Sequence, residues 1–233
     1  MNKHRSVLIV FAMDEEISAF FNSTTATKTG VGMLENIYMD CLGDTTIYGM
    51  KGGVGKVSMA YSLGAFLNNI KVDKVYNTGV AGSLTSRLKP LSTLIATKCA
   101  YHDVDLTQFK YKKGQMSMMP LYFTCDKAGI KKALALNDKD VVTGTILSGD
   151  SFITVDKIPS SFFEDFDSPL AVDMESAAVG QVCYMAKTPF QIIRTISDSA
   201  NTDSNLSQYQ TLLNQACMKA AYITRQIIES ECK

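Results

Sequence analysis

Acidic and small residues recur directly after apolar segments whose patterns predict β-strands. These groups are residues 14–16, 79–82, 148–150, 173–175 and 197–198. In α/β sheets, ligands bind at the carboxyl ends of the strands, so we expect the groups to form one functional cluster. Two carboxylates in different environments can serve as general acid and general base, which is the pair needed to cleave a glycosidic bond.

A nucleobase is one leaving group that such a pair could release. An aspartic acid that protonates a purine nitrogen lets the base leave as a neutral molecule, and a second carboxylate can bind the ribose hydroxyls and stabilise oxocarbenium-like charge. A phosphate nucleophile would need cationic donors, typically Arg, yet the chain has only four Arg residues and residues 14–16 are acidic. A carboxylate about 4 Å from a phosphate charge costs about 4 kcal/mol at an effective dielectric constant of about 20. We therefore favour water as the nucleophile and keep phosphorolysis as the alternative.

Short apolar segments alternate with helical patterns along the whole chain. Strands are predicted at residues 6–12, 34–41, 45–50, 74–78, 94–100, 141–147, 170–172 and 190–196, with a hairpin turn at Gly43-Asp44. Helices are predicted after the first strand as far as Phe20, over residues 57–69, after Glu175, and over residues 206–227, where one apolar stripe packs on the body. The alternation predicts an α/β fold: a single domain of residues 1–233, with a mixed, mostly parallel central sheet in a three-layer α/β/α arrangement.

The composition argues against several classes of protein. Of the 233 residues, 23 are basic and 23 acidic, and this balance disfavours a nucleic-acid or membrane-surface partner. No apolar segment approaches the roughly 18 residues of a membrane span, and residues 6–12 run into acidic residues without a signal-peptide cleavage site. The six cysteines are scattered and form no CxxC motif. We therefore expect free thiols, no zinc site and a cytoplasmic location.

Two further motifs suggest other chemistry. Residues 51–58, with the sequence KGGVGKVS, nearly form a P-loop, but the spacing differs from GxxxxGK[ST] and Val57 stands where a Mg²⁺-binding hydroxyl belongs. An ATP-binding switch protein is therefore the more distant alternative. His102 lies in Tyr101-His102-Asp103-Val104-Asp105, but the only other histidine is His4. Because metal ligands come as fuller sets, we expect a structural His–Asp pair and no metal.

Seven motifs together have the order found in one known family. They are Ala12-Met13-Asp14-Glu15-Glu16, Gly53-Val54-Gly55-Lys56-Val57, Asn77-Thr78-Gly79-Val80-Ala81-Gly82, Tyr101-His102-Asp103-Val104-Asp105, Ser148-Gly149-Asp150-Ser151-Phe152-Ile153, Val172-Asp173-Met174-Glu175 and Arg194-Thr195-Ile196-Ser197-Asp198. Through them the sequence resembles the 5′-methylthioadenosine/S-adenosylhomocysteine nucleosidases of the nucleoside phosphorylase superfamily over nearly its whole length. The resemblance implies a nucleoside phosphorylase-like fold and a homodimer that hydrolyses these nucleosides, and 5′-deoxyadenosine, without a cofactor.

The resemblance also implies roles for individual residues. Glu16 is expected to activate water, Arg194 to help place that water, and Asp198, held by Ser197, to protonate adenine N7. The expected binding residues are Met174 and Glu175 for the ribose, Phe152, Ile153, Ser197, Ala81 and Gly82 for the purine, and Val54 for the alkylthio end, with Leu106 and Phe109 lent by the neighbouring subunit.

The sequence departs from the family pattern at three positions. Val80 stands where many members have Ser, which removes one hydrogen bond near the water. Asp173 replaces the more usual Glu before Met174, and Ser117 stands where a Pro often lines the thio pocket. Tyr209 is the nearest candidate for an aromatic lid. A catalytically inactive nucleoside-binding relative is a further alternative, but the presence of the three expected carboxylates argues against it.

Overall fold

Ten β-strands form one mixed sheet within residues 5–231, which are the residues that this computed structural model describes. They are β1 (Arg5–Phe11), β2 (Thr27–Val31), β3 (Leu34–Leu42), β4 (Thr45–Lys51), β5 (Lys74–Ser83), β6 (Thr93–Tyr101), β7 (Phe123–Thr124), β8 (Val141–Ser148), β9 (Pro169–Asp173) and β10 (Phe190–Ser199). The helices are α1 (Asp14–Phe21), α2 (Lys56–Asn69), α3 (Lys127–Ala135), α4 (Ser161–Glu164), α5 (Ser176–Ala186) and α6 (Asn205–Glu231). His4 and Cys232 lie outside the described residues.

The sheet closes on itself along one half of its length. Its strands follow the order β10-β6-β8-β9-β5-β1-β4-β3-β2, and β10 also pairs with β5, so five strands form a ring. The pairings of β1 with β4 and β5, of β5 with β10, and of β8 with β6 and β9 are parallel. The α/β class with a mixed sheet is confirmed. The sequence analysis did not predict that this half of the sheet is closed, where the pairing of β10 with both β5 and β6 removes the free edges.

Helices cover both faces of the sheet, as the three-layer prediction requires. Buried side chains of α1, α3 and α6 pack into one apolar cluster, and those of α2 and α5 pack into another. The predicted stripe on α6 is buried at Ala216, Ala220, Ile223 and Ile227, whereas Leu206 in its first turn is exposed. Within residues 5–231 we find no helix with the length and apolarity that a membrane crossing requires.

Several elements differ from the sequence-based prediction. Residues 79–82 continue β5 instead of following it, and residues 197–198 lie within β10, because these two strands pair side by side as far as Ser83 and Ser199. The strands β2 and β7 and the helix α3 were not predicted. β2 is an exposed edge strand with the sequence TKTGV, and β7 has only two residues, so neither carries a clear apolar pattern. The start of α3 is marked instead by Asp126, whose side chain accepts hydrogen bonds from the N–H groups of Ala128 and Gly129.

A network of charged side chains ties the start of β1 and β5 to the end of α6. Lys74, which is only 3% exposed, places its Nζ 2.7 Å from Asp126 and 2.9 Å from Glu231. The hydroxyl of Tyr76 donates to Glu231 at 2.8 Å, and Arg5 pairs with the same carboxylate. The last turn of α6 is therefore fixed to the strand ends that lie opposite the carboxyl-terminal edge of the sheet.

Candidate active site

A cavity of about 120 Å³ opens where β1, β5, β9 and β10 end. The sequence-predicted residues that line it are Glu16, Val54, Ala81, Gly82, Phe152, Met174, Glu175, Arg194, Ser197 and Asp198. Ile153 lies in an adjoining cavity that shares Gly82, Phe152 and Asp198 with the first. The structure thus brings together residues from four of the five predicted groups. Residues 148–150 do not line these cavities, although Phe152, shortly after them, does.

Glu16 is a buried carboxylate in the first turn of α1. Its Oε2 accepts hydrogen bonds from the N–H groups of Ala12 at 2.7 Å and Met13 at 3.1 Å, and its Oε1 accepts one from Val80 at 3.0 Å. Burial raises the pKa of Glu16, while Arg194, 3.7 Å away, and these N–H donors oppose the shift. The backbone N–H of Val80 therefore binds the Glu16 carboxylate, although the Val80 side chain has no hydroxyl to donate.

Gly79 lets this carboxylate approach β5 closely. A Cβ atom at this position would lie 2.6 Å from the carboxylate carbon of Glu16 and would also clash with the guanidinium of Arg194. We expect Gly79→Ala to displace both groups and lower kcat by up to about a hundredfold, because small misplacements of reacting groups are costly. Steady-state kinetics check this, with Gly64→Ala in the open space on α2 as the control. Equal activity of the two variants would contradict the expected crowding at Gly79.

Arg194 is fully buried among carboxylates at the base of the cavity. Its Nη2 lies 2.8 Å from Asp173 and 3.3 Å from Glu175, and it donates to the side-chain oxygen of Asn77 at 2.8 Å. Glu16 lies 3.7 Å from Nη1. One guanidinium is therefore shared by three carboxylates, and its positive charge is neutralised within the chain.

Glu175 lies between β9 and α5, at the position that caps the N-terminus of α5. Burial, with the nearby charge of Asp173, raises the pKa of Glu175 to about 7, against the opposing effect of Arg194. The N–H of Gly55 donates to Glu175 Oε1 at 2.9 Å and favours its ionised form. The site thus holds a carboxylate that can change its proton near neutral pH.

Asp173 and Asn77 both contact Arg194, and the sequence analysis assigned neither of them a role in the site. The hydroxyl of Ser148 donates to Asp173 at 2.5 Å, and the N–H and hydroxyl of Ser176 donate to it as well. Asp173 is therefore held in place as the nearest ion-pair partner of Arg194. Both residues stand inside the motifs of the sequence, but their side-chain partners come from distant segments, which no local pattern reveals.

Asp198 occupies the other end of the cavity. The pairing of β10 with β5 shifts register between Ile196 and Asp198, so Ser197 is the extra residue of a β-bulge and both it and Asp198 line the cavity. The Ser197 hydroxyl donates to the Asp198 carboxylate at 2.7 Å. Burial raises the pKa of Asp198, whereas Ser197 and Asn205 favour its ionised form. The upward shift thus arises from burial, and no neighbouring acid contributes to it.

Aromatic and apolar side chains form the opposite wall. The rings of Phe152 and Tyr209 meet edge to face, with their centroids 5.7 Å apart, and the Tyr209 hydroxyl lies 3.4 Å from the sulfur of Met13. Val54 is half exposed and also lines this wall. The carbonyl of Ile153 accepts a hydrogen bond from Asn205 at 2.9 Å. Tyr209 thus lines the cavity beside Phe152, and its role as an aromatic lid stays a prediction.

Leu106 and Phe109 do not line the cavity of their own chain. They lie at a 3₁₀ turn, Thr107–Phe109, where the Phe109 side chain is 73% exposed. Ser117 is also exposed and exchanges a hydrogen bond with the Tyr111 hydroxyl at 3.1 Å. The expected contribution of Leu106 and Phe109 to a neighbouring subunit stays a prediction.

The glycine-rich turn after β4 is filled by carboxylates of the chain itself. The N–H of Gly55 donates to Glu175, and the N–H of Lys56 donates to Asp150 at 2.8 Å. The Lys56 ammonium lies 2.6 Å from Asp103. Two backbone N–H groups and the ammonium that a P-loop would offer to phosphates are thus already bound, which argues against the ATP-binding alternative.

His102 does not form the structural pair with Asp that the sequence suggests. Its Nε2 is buried without a hydrogen-bond partner in the part of the chain that the structure describes, and Asp103 pairs with Lys56 instead. The ring packs on Phe162 with a centroid separation of 4.8 Å. Among residues 5–231, no group of three or more His, Cys, Asp and Glu side chains is arranged to hold a metal ion.

Comparisons with known proteins agree with this fold. A family model described as "Phosphorylase superfamily" matches residues 6–229, so the chain belongs to that superfamily. A 5′-methylthioadenosine/S-adenosylhomocysteine nucleosidase of Staphylococcus aureus (strain JH9) is 32% identical over 223 residues, which cover 94% of this chain and 97% of that protein. The chain belongs to the family of 5′-methylthioadenosine/S-adenosylhomocysteine nucleosidases.

Solved structures of this family share the architecture closely. The nucleosidase from S. pneumoniae with the transition-state inhibitor MT-ImmA has a TM-score of 0.90 and 30% identity, covering 97% of this chain and 99% of that chain. The S-adenosylhomocysteine nucleosidase from Streptococcus pyogenes, in complex with 5-methylthiotubericidin, has a TM-score of 0.90 and 31% identity, covering 98% of each chain.

Proposed function

We propose that this chain hydrolyses the N-glycosidic bond of 5′-methylthioadenosine and S-adenosylhomocysteine, and that it also accepts 5′-deoxyadenosine. The products are adenine and the corresponding ribose species. The observation that carries the proposal is the pair of buried carboxyl groups, Glu16 and Asp198, in one cavity whose guanidinium is already neutralised. Family membership supports the choice of substrates, because the named relatives are nucleosidases for these two compounds.

Asp198 is the proposed general acid. Burial raises its pKa, which favours a proton on the carboxyl group when the substrate binds. That proton passes to N7 of adenine as the glycosidic bond breaks, so the purine leaves as a neutral molecule. Ser197 orients the carboxyl group through its 2.7 Å hydrogen bond. Phe152 and Ile153, with the small residues Ala81 and Gly82 alongside, are proposed to bind the purine.

Glu16 is the proposed base, and Glu175 the proposed ribose ligand. Glu16 takes a proton from water as the water attacks the anomeric carbon, while Arg194 helps to place that water. Glu175, together with Met174, binds the ribose, and its negative charge stabilises the oxocarbenium-like sugar. Val54 contacts the 5′-thio end. These steps move protons between carboxyl groups and water, so the proposed reaction needs no cofactor.

The charges of the cavity support water over phosphate as the nucleophile. Among the residues that the structure describes, Arg194 is the one cationic side chain that lines the cavity, and Asp173, Glu175 and Glu16 surround it. A phosphate next to Glu16 would face a carboxylate with no unpaired cation to balance it. Water carries no charge and meets no such cost.

Phosphate independence is the experiment that tests the proposal. We expect adenine release from methylthioadenosine in phosphate-free buffer, with a rate that added phosphate changes by less than about twofold. The sugar product should be free methylthioribose, identified by mass spectrometry. Release that needs phosphate and yields a sugar 1-phosphate would instead assign the chain to the phosphorolytic members of the superfamily. No release in either buffer would support an inactive nucleoside-binding protein.

The proposed assembly is a homodimer in the cytoplasm. An apolar groove between α2, α5 and the segment after β6 is lined by Val57, Val104, Met116 and Met185, and the side chains of Val57 and Met185 are 79% and 63% exposed. A second copy of the chain would bury this surface and bring its Leu106 and Phe109 to the thio end of the cavity. The free state of the described cysteines supports a reducing compartment. Light scattering would measure the mass in solution.

A further inference from the structure

Lys56 joins three segments that leave the sheet at different strands. Its Nζ lies 2.6 Å from Asp103, in the loop after β6, and 3.6 Å from Asp150, in the loop after β8. Its backbone N–H, in the first turn of α2, donates to Asp150 Oδ1 at 2.8 Å. The N–H of Asp150 in turn donates to Asp103 Oδ2 at 3.0 Å. We call Lys56, Asp103 and Asp150 the Lys56 cluster.

The Lys56 cluster lies outside the cavity but is attached to two of its walls. Asp150 precedes Phe152 by two positions, and we call Phe152 and Ile153 the purine wall because they are the proposed purine contacts. Gly55, next to Lys56, donates its N–H to Glu175, the proposed ribose carboxylate. Gly55 has a φ of +90°, and a Cβ there would lie 3.1 Å from Asp150 Oδ1, so the turn and the loop after β8 are closely packed. The cluster therefore connects the loop that carries Phe152 with the turn that binds Glu175.

The charge balance of the Lys56 cluster makes this connection depend on the ammonium group. One cation faces two carboxylates, with side-chain exposures of 23% for Lys56, 30% for Asp103 and 47% for Asp150. Lys56 is partly buried, whereas the two acidic residues are exposed. Without the ammonium, the two carboxylates would repel each other. Since Asp150 begins the segment that carries Phe152, this repulsion would move the purine wall outward.

We propose that Lys56 is a positioning residue for substrate binding, which holds the purine wall against the ribose carboxylate through Asp150 and Gly55. The inference rests on the proposed function. The proposed acid Asp198 belongs to β10 and the proposed base Glu16 to α1, and neither contacts the cluster. Loss of the ammonium should therefore weaken binding more than it slows the chemical step.

The test compares Lys56→Met, Lys56→Arg and Asp150→Asn with the wild-type chain. We expect Lys56→Met to raise both the KM for methylthioadenosine and the Kd for adenine by about tenfold, while kcat changes by less than about threefold. Lys56→Arg keeps the charge and should restore most of the affinity. Asp150→Asn should also raise KM. The double variant Lys56→Met/Asp150→Asn should raise KM by less than the product of the two single increases, because both substitutions act on the same contact.

Lys51→Met is the matched control. Lys51 lies five positions before Lys56, is half exposed, and pairs with the exposed Asp14 at 2.8 Å, so it should keep wild-type KM and Kd. Thermal unfolding and circular dichroism verify that each variant is folded, and if Lys56→Met does not fold, Asp150→Asn decides the question.

Three results would overturn the positioning role: unchanged KM and Kd in folded variants, a parallel loss of kcat, or failure of Lys56→Arg to recover affinity. The proposed function fails separately, if the wild-type chain itself releases no adenine. Calorimetric binding of adenine to the wild-type chain and the variants still measures the effect of Lys56 in that case, because it needs no turnover.

Discussion

Replacing Asp198 with Asn is expected to lower kcat for adenine release by about three to four orders of magnitude, the upper range for loss of a general acid. Asn has nearly the same size and can keep hydrogen bonds with Ser197 and Asn205, but it has no acidic proton to give to N7. Without that proton the purine would leave as an anion, which raises the barrier. The measurement is single-turnover adenine release, which separates chemistry from product release.

The fold of the Asp198→Asn variant should be intact, because Asn has nearly the same size as Asp and leaves no cavity. A matched control is Asp203→Asn, at an exposed carboxylate five positions further along the chain, which should retain wild-type kcat. The acid assignment would be refuted by near-wild-type turnover of Asp198→Asn, or by a similar loss in both variants.

Glu16→Gln is expected to give the second largest loss, about a thousandfold in kcat, because Gln cannot accept a proton from water. One side-chain oxygen can still accept from Ala12, Met13 or Val80, but the new NH₂ group faces N–H donors on the other side. The variant should still bind adenine, since the proposed purine contacts lie at the other end of the cavity. Rapid-quench kinetics and calorimetry measure the two effects independently.

Glu15→Gln is the control for this substitution, because Glu15 is the adjacent residue in the same helical turn but is exposed to solvent. It should leave kcat unchanged. A Glu16→Gln variant with wild-type turnover would show that water is activated by another group, and the three-carboxylate arrangement around Arg194 would then need a different reading.

The sequence predicts the layers of this fold better than the closure of its sheet. Alternating apolar and helical segments indicate an α/β protein because each segment must bury one face, and the structure confirms that class. The ring formed by β5, β10, β6, β8 and β9 depends on pairing between strands far apart in sequence, including the antiparallel pair β5–β9. Such pairings leave no local signal in composition or spacing.

The location of the site could be predicted from the sequence, but its network of contacts could not. Strand-end carboxylates such as Glu16 and Asp198 are visible as acids that follow apolar segments. The contact of Asp173 with Arg194, and that of Asn205 with Ile153, joins residues 21 and 52 positions apart in the chain, so only the folded structure reveals it. The β-bulge at Ser197 is likewise a property of strand register and not of the residue itself.

The charged network at the far end of α6 bears on the order in which the molecule assembles. Glu231 contacts Arg5 across 226 positions and Lys74 across 157 positions, so the buried ammonium of Lys74 gains this partner only when the last turn of the helix is present. Long-range contacts of this kind form late and slow folding. During synthesis, the apolar strands β1 and β5 therefore stay incompletely covered until the end of α6 emerges from the ribosome. A chain that ends before that turn would leave Lys74 without Glu231 as a partner, and we expect it to aggregate more readily than the full chain.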